Sequence, residues 1–323
     1  MSNLERDPQE TQCGGGVGVA VAAAPVRDVL SGRDVPLGRF AVVRRFLPHG
    51  QRRMVGAWCF LDYFGPEDVA GRPGMRVPPH PHTGLQTVSW LVEGEVLHRD
   101  SLGSRQAVRP GELSLMTSGH GISHSEESPG QHPPILHGVQ LWVALPDAYR
   151  HTEPGFEHHP TLPVLHESGL TATVVVGELA GARSPASVYS GIVGADLTLG
   201  PAAQARLPLE PGFEYAAIVL LGAADVDGMA LAPGSLLYLG TGRSQLALHA
   251  GPRTRLLLLG GEPFEEQLVM WWNFVGRSHE DIVQARQDWA GGHRFGTVRG
   301  YDGDPLPAPP MPTTRLKPRG RHR

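Results

Sequence analysis

The residues best equipped for chemistry lie in two short stretches of the first half of the chain. "VPPHPHTGLQ" places His80 and His82 one residue apart, and "GHGISHSEES" places His124 and Glu126 at the same spacing. In a β-strand, residues i and i+2 project to one face, so each pair can send both side chains to the same side of a sheet. Two neighbouring strands bringing both pairs into one interior would gather three imidazole nitrogens and one carboxylate. Such a donor set suits Fe(II), Ni, Mn or Cu(II) better than magnesium or calcium, which prefer oxygen ligands throughout. It also leaves coordination positions open to a substrate.

Either pair alone is a weak signal in a chain with 16 histidines. Together they flank the Gly94 turn and the Pro110-Gly111 turn of a single β unit, where a closed barrel needs them. Other chemically able residues read as structural. His98 is expected to face outward or to stand behind the ligands, His158 and His159 to face solvent, and Cys59, between Trp58 and Phe60, to be a small buried hydrophobe. Trp271 and Trp272, just before a terminal helix, are expected to dock that helix rather than line a pocket.

The elements that must position the four residues are strands. Glycine (42) and proline (30) are abundant among short apolar runs, giving an all-β body. At 323 residues the chain exceeds one hydrophobic core. Two halves repeat: "VEGEV...RPGELSLM" aligns with "LLGAA...APGSLLYL", each a strand ending at a glycine, then a Pro-Gly turn and another apolar strand. Units of about 100 residues that bury their own interiors imply two barrels or sandwiches in tandem. The segment "SHEDIVQARQDW" reads instead as a short C-terminal helix, with Ser278 as N-cap, Asp281 three residues on, and Ile282, Ala285 and Trp289 on one face.

The expected organisation is a disordered tail over 1–25, a metal-binding domain over 26–155, a metal-free domain over 156–275, the helix and an extension over 276–302, and a disordered tail over 303–323. Aligned on the turn glycines, Pro208 and Glu210 fall opposite His80 and His82; aligned on the Pro-Gly turns, Ala247 and His249 fall opposite His124 and Glu126. No second ligand set survives, so the second unit should hold no metal.

A formal charge of −4, with basic residues concentrated only in the terminal "RLKPRGRHR", gives no footprint for nucleic acid. No run approaches the roughly 20 apolar residues of a membrane span. Two cysteines, Cys13 and Cys59, form no disulfide framework. A cytoplasmic, monomeric protein is expected.

Several ordered blocks resemble the pirin family: "PHPHTGLQTVSWLVEGEVLHRDSLG", "RPGELSLMTSGHGISHSEE", "GVQLWVAL" and "GEPFEEQLVMWWNFVGRSHEDIVQARQDW". The resemblance spans about residues 27–300. It implies two cupin-type barrels face to face, a bicupin, with one divalent transition metal in the N-terminal barrel: Fe(II) first, then Ni, Mn, Cu or Zn. The family's ligands carry over onto His80, His82, His124 and Glu126. The sequence departs at Gln86, where the family commonly has glutamate, and at His120, where arginine is frequent, which changes the charge behind the ligands and at the mouth.

The resemblance further implies a quercetin 2,3-dioxygenase-type enzyme acting on a small aromatic, flavonol-like substrate, with Glu126 also serving as the base. Its alternative is a metal- or redox-responsive regulator binding a transcription factor or metabolic enzyme as protein partner. A storage or structural bicupin with an empty site is the bland third reading.

Overall fold

Strands in this chain follow from period-two burial wherever one sheet face meets solvent. Along Gln204–Pro208, Ala205 and Leu207 are buried while their neighbours are exposed. Leu113–Thr117, covered on both faces, is buried throughout. A computed structural model describes residues 25–37 and 41–321.

In chain order the first twelve strands are β1 (Asp28–Ser31), β2 (Arg33–Leu37), β3 (Ala41–Leu47), β4 (Trp58–Asp68), β5 (Arg76–His82), β6 (Leu85–Glu93), β7 (Val96–Asp100), β8 (Arg105–Val108), β9 (Leu113–Thr117), β10 (Ile122–Glu127), β11 (Ile135–Ala144) and β12 (Gly155–His159). There follow β13 (Val164–Glu167), β14 (Leu170–Leu179), β15 (Ala182–Arg183), β16 (Ile192–Leu199), β17 (Gln204–Pro208), β18 (Glu214–Leu221), β19 (Ala224–Val226), β20 (Met229–Leu231), β21 (Ser235–Gly240), β22 (Gln245–Ala250), β23 (Thr254–Gly261), β24 (Val269–Trp271), β25 (Phe274–Gly276) and the helix α1 (His279–Ala290).

Two cupin barrels result, each a small sheet closed over a large one. The first has order β5-β10-β7-β8 against β12-β9-β6-β11-β4-β3-β2; the second has β17-β22-β19-β20 against β1-β21-β18-β23-β16-β14-β13. The large sheets pack face to face around one shared apolar cluster that includes Trp58, Trp90, Val139, Ile218, Tyr238 and Leu257. Indole donors seal it: Trp58 Nε1 donates to the carbonyls of Val193 at 3.1 Å and Gly260 at 3.2 Å, and Trp90 Nε1 donates to Asp196 at 2.6 Å.

The two strand orders match position for position, with β1 taking in the second barrel the place that β12 takes in the first. Yet β1 leads into the β2-β3 pair, and β12 leads likewise into β13-β14. Each repeat therefore lends its first strand to the other barrel: Val29 pairs with Leu237 of β21, and Phe156 pairs with Met116 of β9. The borrowed strands cover the open backbone edges of β9 and β21. This modifies the expected division at 155/156. Residues 28–31 belong by pairing to the second barrel and residues 155–159 to the first.

Helix α1 has the expected capping box, Ser278 accepting from the Asp281 amide and the Asp281 carboxylate accepting from the Ser278 amide. Ile282 and Ala285 are buried against Trp271, Trp272, Phe274 and Phe295, so the tryptophan pair is docking core. The segment from 303 onward differs from the disordered tail its prolines imply. Leu306 donates its amide to the Pro79 carbonyl at 2.8 Å, Leu316 is buried, and Leu268 and Arg319 exchange backbone hydrogen bonds. Proline blocks regular structure but not packing, and Leu306, Ala308, Met311 and Leu316 all join the cluster around α1. The expected tail over 1–25 lies, but for residue 25, outside the described residues. Among those described, no helix is long and apolar enough to cross a membrane.

Candidate metal centre

Strands β5 and β10 run antiparallel, with His124 directly opposite His80 and Ile122 opposite His82. The register then shifts between His124 and Glu126, whose partner is Val77. The irregularity coincides with Pro78 and Pro79, two residues with no amide to give to the ladder, on a strand at the edge of its sheet.

His80, His82 and His124 are all fully buried, and each offers a ring nitrogen within 4.8 Å of the others'. Hydrogen bonds fix which nitrogen that is. His80 Nδ1 lies 2.7 Å from the Pro78 carbonyl and His82 Nδ1 lies 3.0 Å from the Asn273 carbonyl, so both carry their proton on Nδ1 and present Nε2 as an acceptor. Behind His124 stands a relay. His98 Nε2 lies 3.1 Å from Asp100 Oδ2, and His98 Nδ1 lies 3.4 Å from His124 Nδ1. With Asp100 accepting from Nε2–H, His98 Nδ1 accepts in turn from His124, whose Nε2 is then an acceptor as well.

The consequence is that His82 Nε2 and His124 Nε2 face each other at 3.1 Å as two acceptors. Lone pairs so opposed call for a cation between them. Two imidazole nitrogens each about 2.1 Å from one ion and at right angles are about 3 Å apart, so the spacing fits a divalent transition ion. Burial pushes the His80 imidazole down to about 4 and holds those of His82 and His124 well below the usual range, so all three are neutral at neutral pH and able to coordinate.

Glu126 is buried two residues further along β10 and lies near enough to His80 to favour its protonated form. Its carboxylate is outside the mutually close group of three. Oε1 lies 3.2 Å from Ser89 Oγ, which is also 2.8 Å from the Gln140 side-chain oxygen. One hydroxyl proton cannot serve two acceptors. Exchanging the Gln140 amide nitrogen and oxygen lets Gln140 donate to Ser89 and Ser89 to Glu126, and it gives the otherwise orphaned Gln140 Nε2 a partner. Trp142 supplies an aromatic wall, edge-on to His82 at 5.1 Å and stacked on Phe60 at 4.0 Å.

The sequence reading passed over Asp100, although His98 and Asp100 share the i, i+2 spacing of the ligands. Asn273 had no local signal, since it arrives from 191 residues away, in the turn between β24 and β25 where Trp272 adopts a positive φ of 53°. His98 proves buried behind His124, stacked on Phe156 at 4.2 Å. Gln86 donates to Thr117 Oγ1 at 2.9 Å and to the Ser187 carbonyl at 3.0 Å, a donation that glutamate could not make. His120 sits away from the centre, 3.3 Å from Glu153 at the surface. His158 and His159 are half-buried beside Glu112 and Glu157 rather than free in solvent.

The second barrel shows what the same frame does without ligands. His98 pairs with Glu126 in the first barrel, and Val226, its counterpart counted from the turn glycine, pairs with Leu248. His80 pairs with His124, and Leu207 pairs with Leu246. Leu209, which takes the place of His82, donates its amide to Ser244. The ligand positions are thus Leu207, Leu209, Leu246 and Leu248, all buried. Alignment on turns, which gave Pro208, Glu210, Ala247 and His249, is one residue out, and one residue reverses which face a side chain occupies. Between Leu209 and Glu214 the chain is one residue longer than between His82 and Gln86, and between Pro233 and Leu246 it is one residue shorter than between Pro110 and His124.

Residues 39–143 match the family model described as Pirin, and residues 194–296 match the one described as Pirin C-terminal cupin domain. A Pseudomonas aeruginosa protein named "Putative quercetin 2,3-dioxygenase" is 47% identical over 285 residues, 88% of this chain and 90% of that one. A "Pirin-like protein" of Caulobacter vibrioides is 40% identical, covering 82% and 93%. A crystal structure of quercetin 2,3-dioxygenase from Acinetobacter baumannii superposes with a TM-score of 0.87 at 43% identity, covering 90% of this chain and 98% of that one.

Proposed function

The chain belongs to the pirin family, and from the chemistry of its first barrel we propose that it is a metal-dependent dioxygenase acting on flavonol-type substrates. The observation that carries the metal is the pair of bare imidazole nitrogens facing each other beside a third histidine and a carboxylate. The substrate class rests on the names of the Pseudomonas aeruginosa and Acinetobacter baumannii relatives.

His80, His82 and His124 would hold the ion, Fe(II) before Ni, Mn, Cu or Zn, with Glu126 as the fourth donor. A divalent transition ion there supplies Lewis acidity toward the chelating oxygens of a flavonol and redox reach toward dioxygen. Glu126 takes the proton of the flavonol hydroxyl, and the Ser89 hydroxyl keeps the carboxylate aimed while it does so. The Asp100-His98 relay fixes the tautomer of His124, and the Pro78 and Asn273 carbonyls do the same for His80 and His82. Trp142, edge-on to His82 and backed by Phe60, gives the histidine cluster an apolar wall.

Anaerobic titration of the metal-loaded protein with quercetin tests this. The flavonol absorption should shift with one-to-one saturation, and admitting oxygen should consume the substrate. In Glu126→Gln, metal content should persist while turnover falls by about 10²- to 10⁴-fold, the usual worth of a positioned base. An unchanged spectrum with no oxygen uptake overturns the reading.

A further inference from the structure

The mouth of the second barrel contains a cavity of about 430 Å³ walled by Val188, Ile192, Leu209, Phe213 and Tyr215. Its volume lies within the range of roughly 300–1,000 Å³ that small-molecule sites occupy. Leu209 is the residue standing where His82 stands in the first barrel, so this is the counterpart of the metal-bearing end. The two ends are covered differently. Beside His82, Thr83 bridges to Phe274 and Gly84 lies against the Val275 backbone, so β25 closes that side. Glu210, the counterpart of Thr83, is exposed.

The walls are held in place without an occupant. The Tyr215 hydroxyl accepts from the Glu210 amide at 2.9 Å, and its ring lies over Gly260, where a Cβ would come within 2.4 Å of it. The loop carrying Val188 and Ser190 is pinned by Ser184 donating to the Val175 carbonyl at 2.8 Å and by Gln86 donating to Ser187. Ser190 Oγ, in the cavity wall, is buried with no hydrogen-bond partner among the described residues.

The charged groups at the cavity select against anions. Arg183 is taken up by Glu178 at 2.6 Å, whereas no cation pairs with Glu210 among the described residues. An exposed acceptor carboxylate and two aromatic rings together favour a flat apolar molecule with a hydrogen-bond donor. We propose that this cavity is a second binding site, independent of the metal, for a small neutral aromatic ligand carrying an N–H or O–H group.

Two fluorescent probes with the same ring system test it on the full-length, metal-loaded protein: N-phenyl-1-naphthylamine, neutral with one N–H, and 1-anilinonaphthalene-8-sulfonate, its anionic analogue. The neutral probe should saturate at one per chain, and the sulfonate should bind at least tenfold more weakly. Val188→Trp, which fills the cavity, should weaken the neutral probe at least tenfold. Glu210→Gln, an exposed change that leaves the fold intact, should narrow the gap between the probes. His124→Leu, which empties the first barrel, should leave the neutral probe unaffected. Equal or tighter binding of the sulfonate, loss of binding in His124→Leu, or undiminished binding in a folded Val188→Trp each overturn the proposal. A failure of quercetin turnover alone would leave it standing.

Discussion

Where β5 and β10 hold His80, His82, His124 and Glu126, β17 with the residue that follows it and β22 hold Leu207, Leu209, Leu246 and Leu248. Strand order is otherwise shared, so the contrast shows what a polar interior costs. Each buried leucine side chain contributes about 1.5–3 kcal/mol through removal from water. Each polar group put in its place must instead find a partner or cost about 1–3 kcal/mol. The second barrel takes the apolar solution throughout. The first surrounds its polar set with further polar groups, Asp100, His98, Ser89, Gln140 and the Asn273 carbonyl, and holds bare nitrogens ready for an ion. A second contrasted pair makes the same point: Gln86 donates to a carbonyl, and its counterpart Glu214 accepts from the Gly56 amide at 2.6 Å and the Tyr238 hydroxyl at 2.6 Å.

The sharpest way to break the contrast is to copy the second barrel into the first. His124→Leu should reduce metal, read by elemental analysis, to below a tenth of wild type and abolish turnover, while the metal-free protein keeps or gains thermal stability. Metal retained at the wild-type level would place the ion elsewhere.

Acid should separate the barrels next. In the metal-free protein, burial holds His80 and His137 down to about 4, whereas the unfolded chain takes up these protons near 6.5. Between those values the unfolded state binds more protons, so stability falls as pH drops from about 6.5 toward 4 and levels off below. The loss is about 3 kcal/mol for His80 and smaller for the less deeply placed His137. Denaturant unfolding at pH 7 and pH 4 checks it, and His80→Leu should flatten the dependence by roughly that amount. Unaltered pH dependence in His80→Leu would show that its imidazole is not buried neutral.

The mildest change touches neither ligand nor fold. Asp100→Asn should weaken metal affinity about 10- to 100-fold by loosening the tautomer of His98 and hence of His124. Its readout is competition with a chelator at constant far-UV dichroism. Wild-type affinity would mean that the relay is idle.

The convergence of His80, His82 and His124 was legible because a strand has period two and a spacing of i, i+2 survives whatever else the chain does. Asp100 obeyed the same rule and could have been found by asking what stands behind a ligand as well as what makes one. Asn273 could not, since its carbonyl reaches His82 through tertiary structure alone. The repeat was legible in its turns but not in its exact register, because the turn before β18 is one residue longer than its counterpart and the stretch from Pro233 to Leu246 is one residue shorter than that from Pro110 to His124. Nor does sequence order say which open edge a strand will join, so the exchange of β1 and β12 emerged only in three dimensions. The proline-rich end misled because composition reports the scarcity of backbone donors, not the few apolar side chains that anchor it.

The exchange has a consequence for synthesis. Phe156, stacked on His98, rides on β12, so the outermost layer of the histidine-lined barrel arrives with the opening strand of the next repeat. The N-terminal strand β1 must wait much longer, until Ser235–Gly240 has left the ribosome. Sealing of the later barrel is therefore delayed to near the end of translation. A cut at the midpoint would give two fragments, each with an edge it cannot cover and a strand it cannot use, which is a recipe for mutual pairing rather than for independent modules.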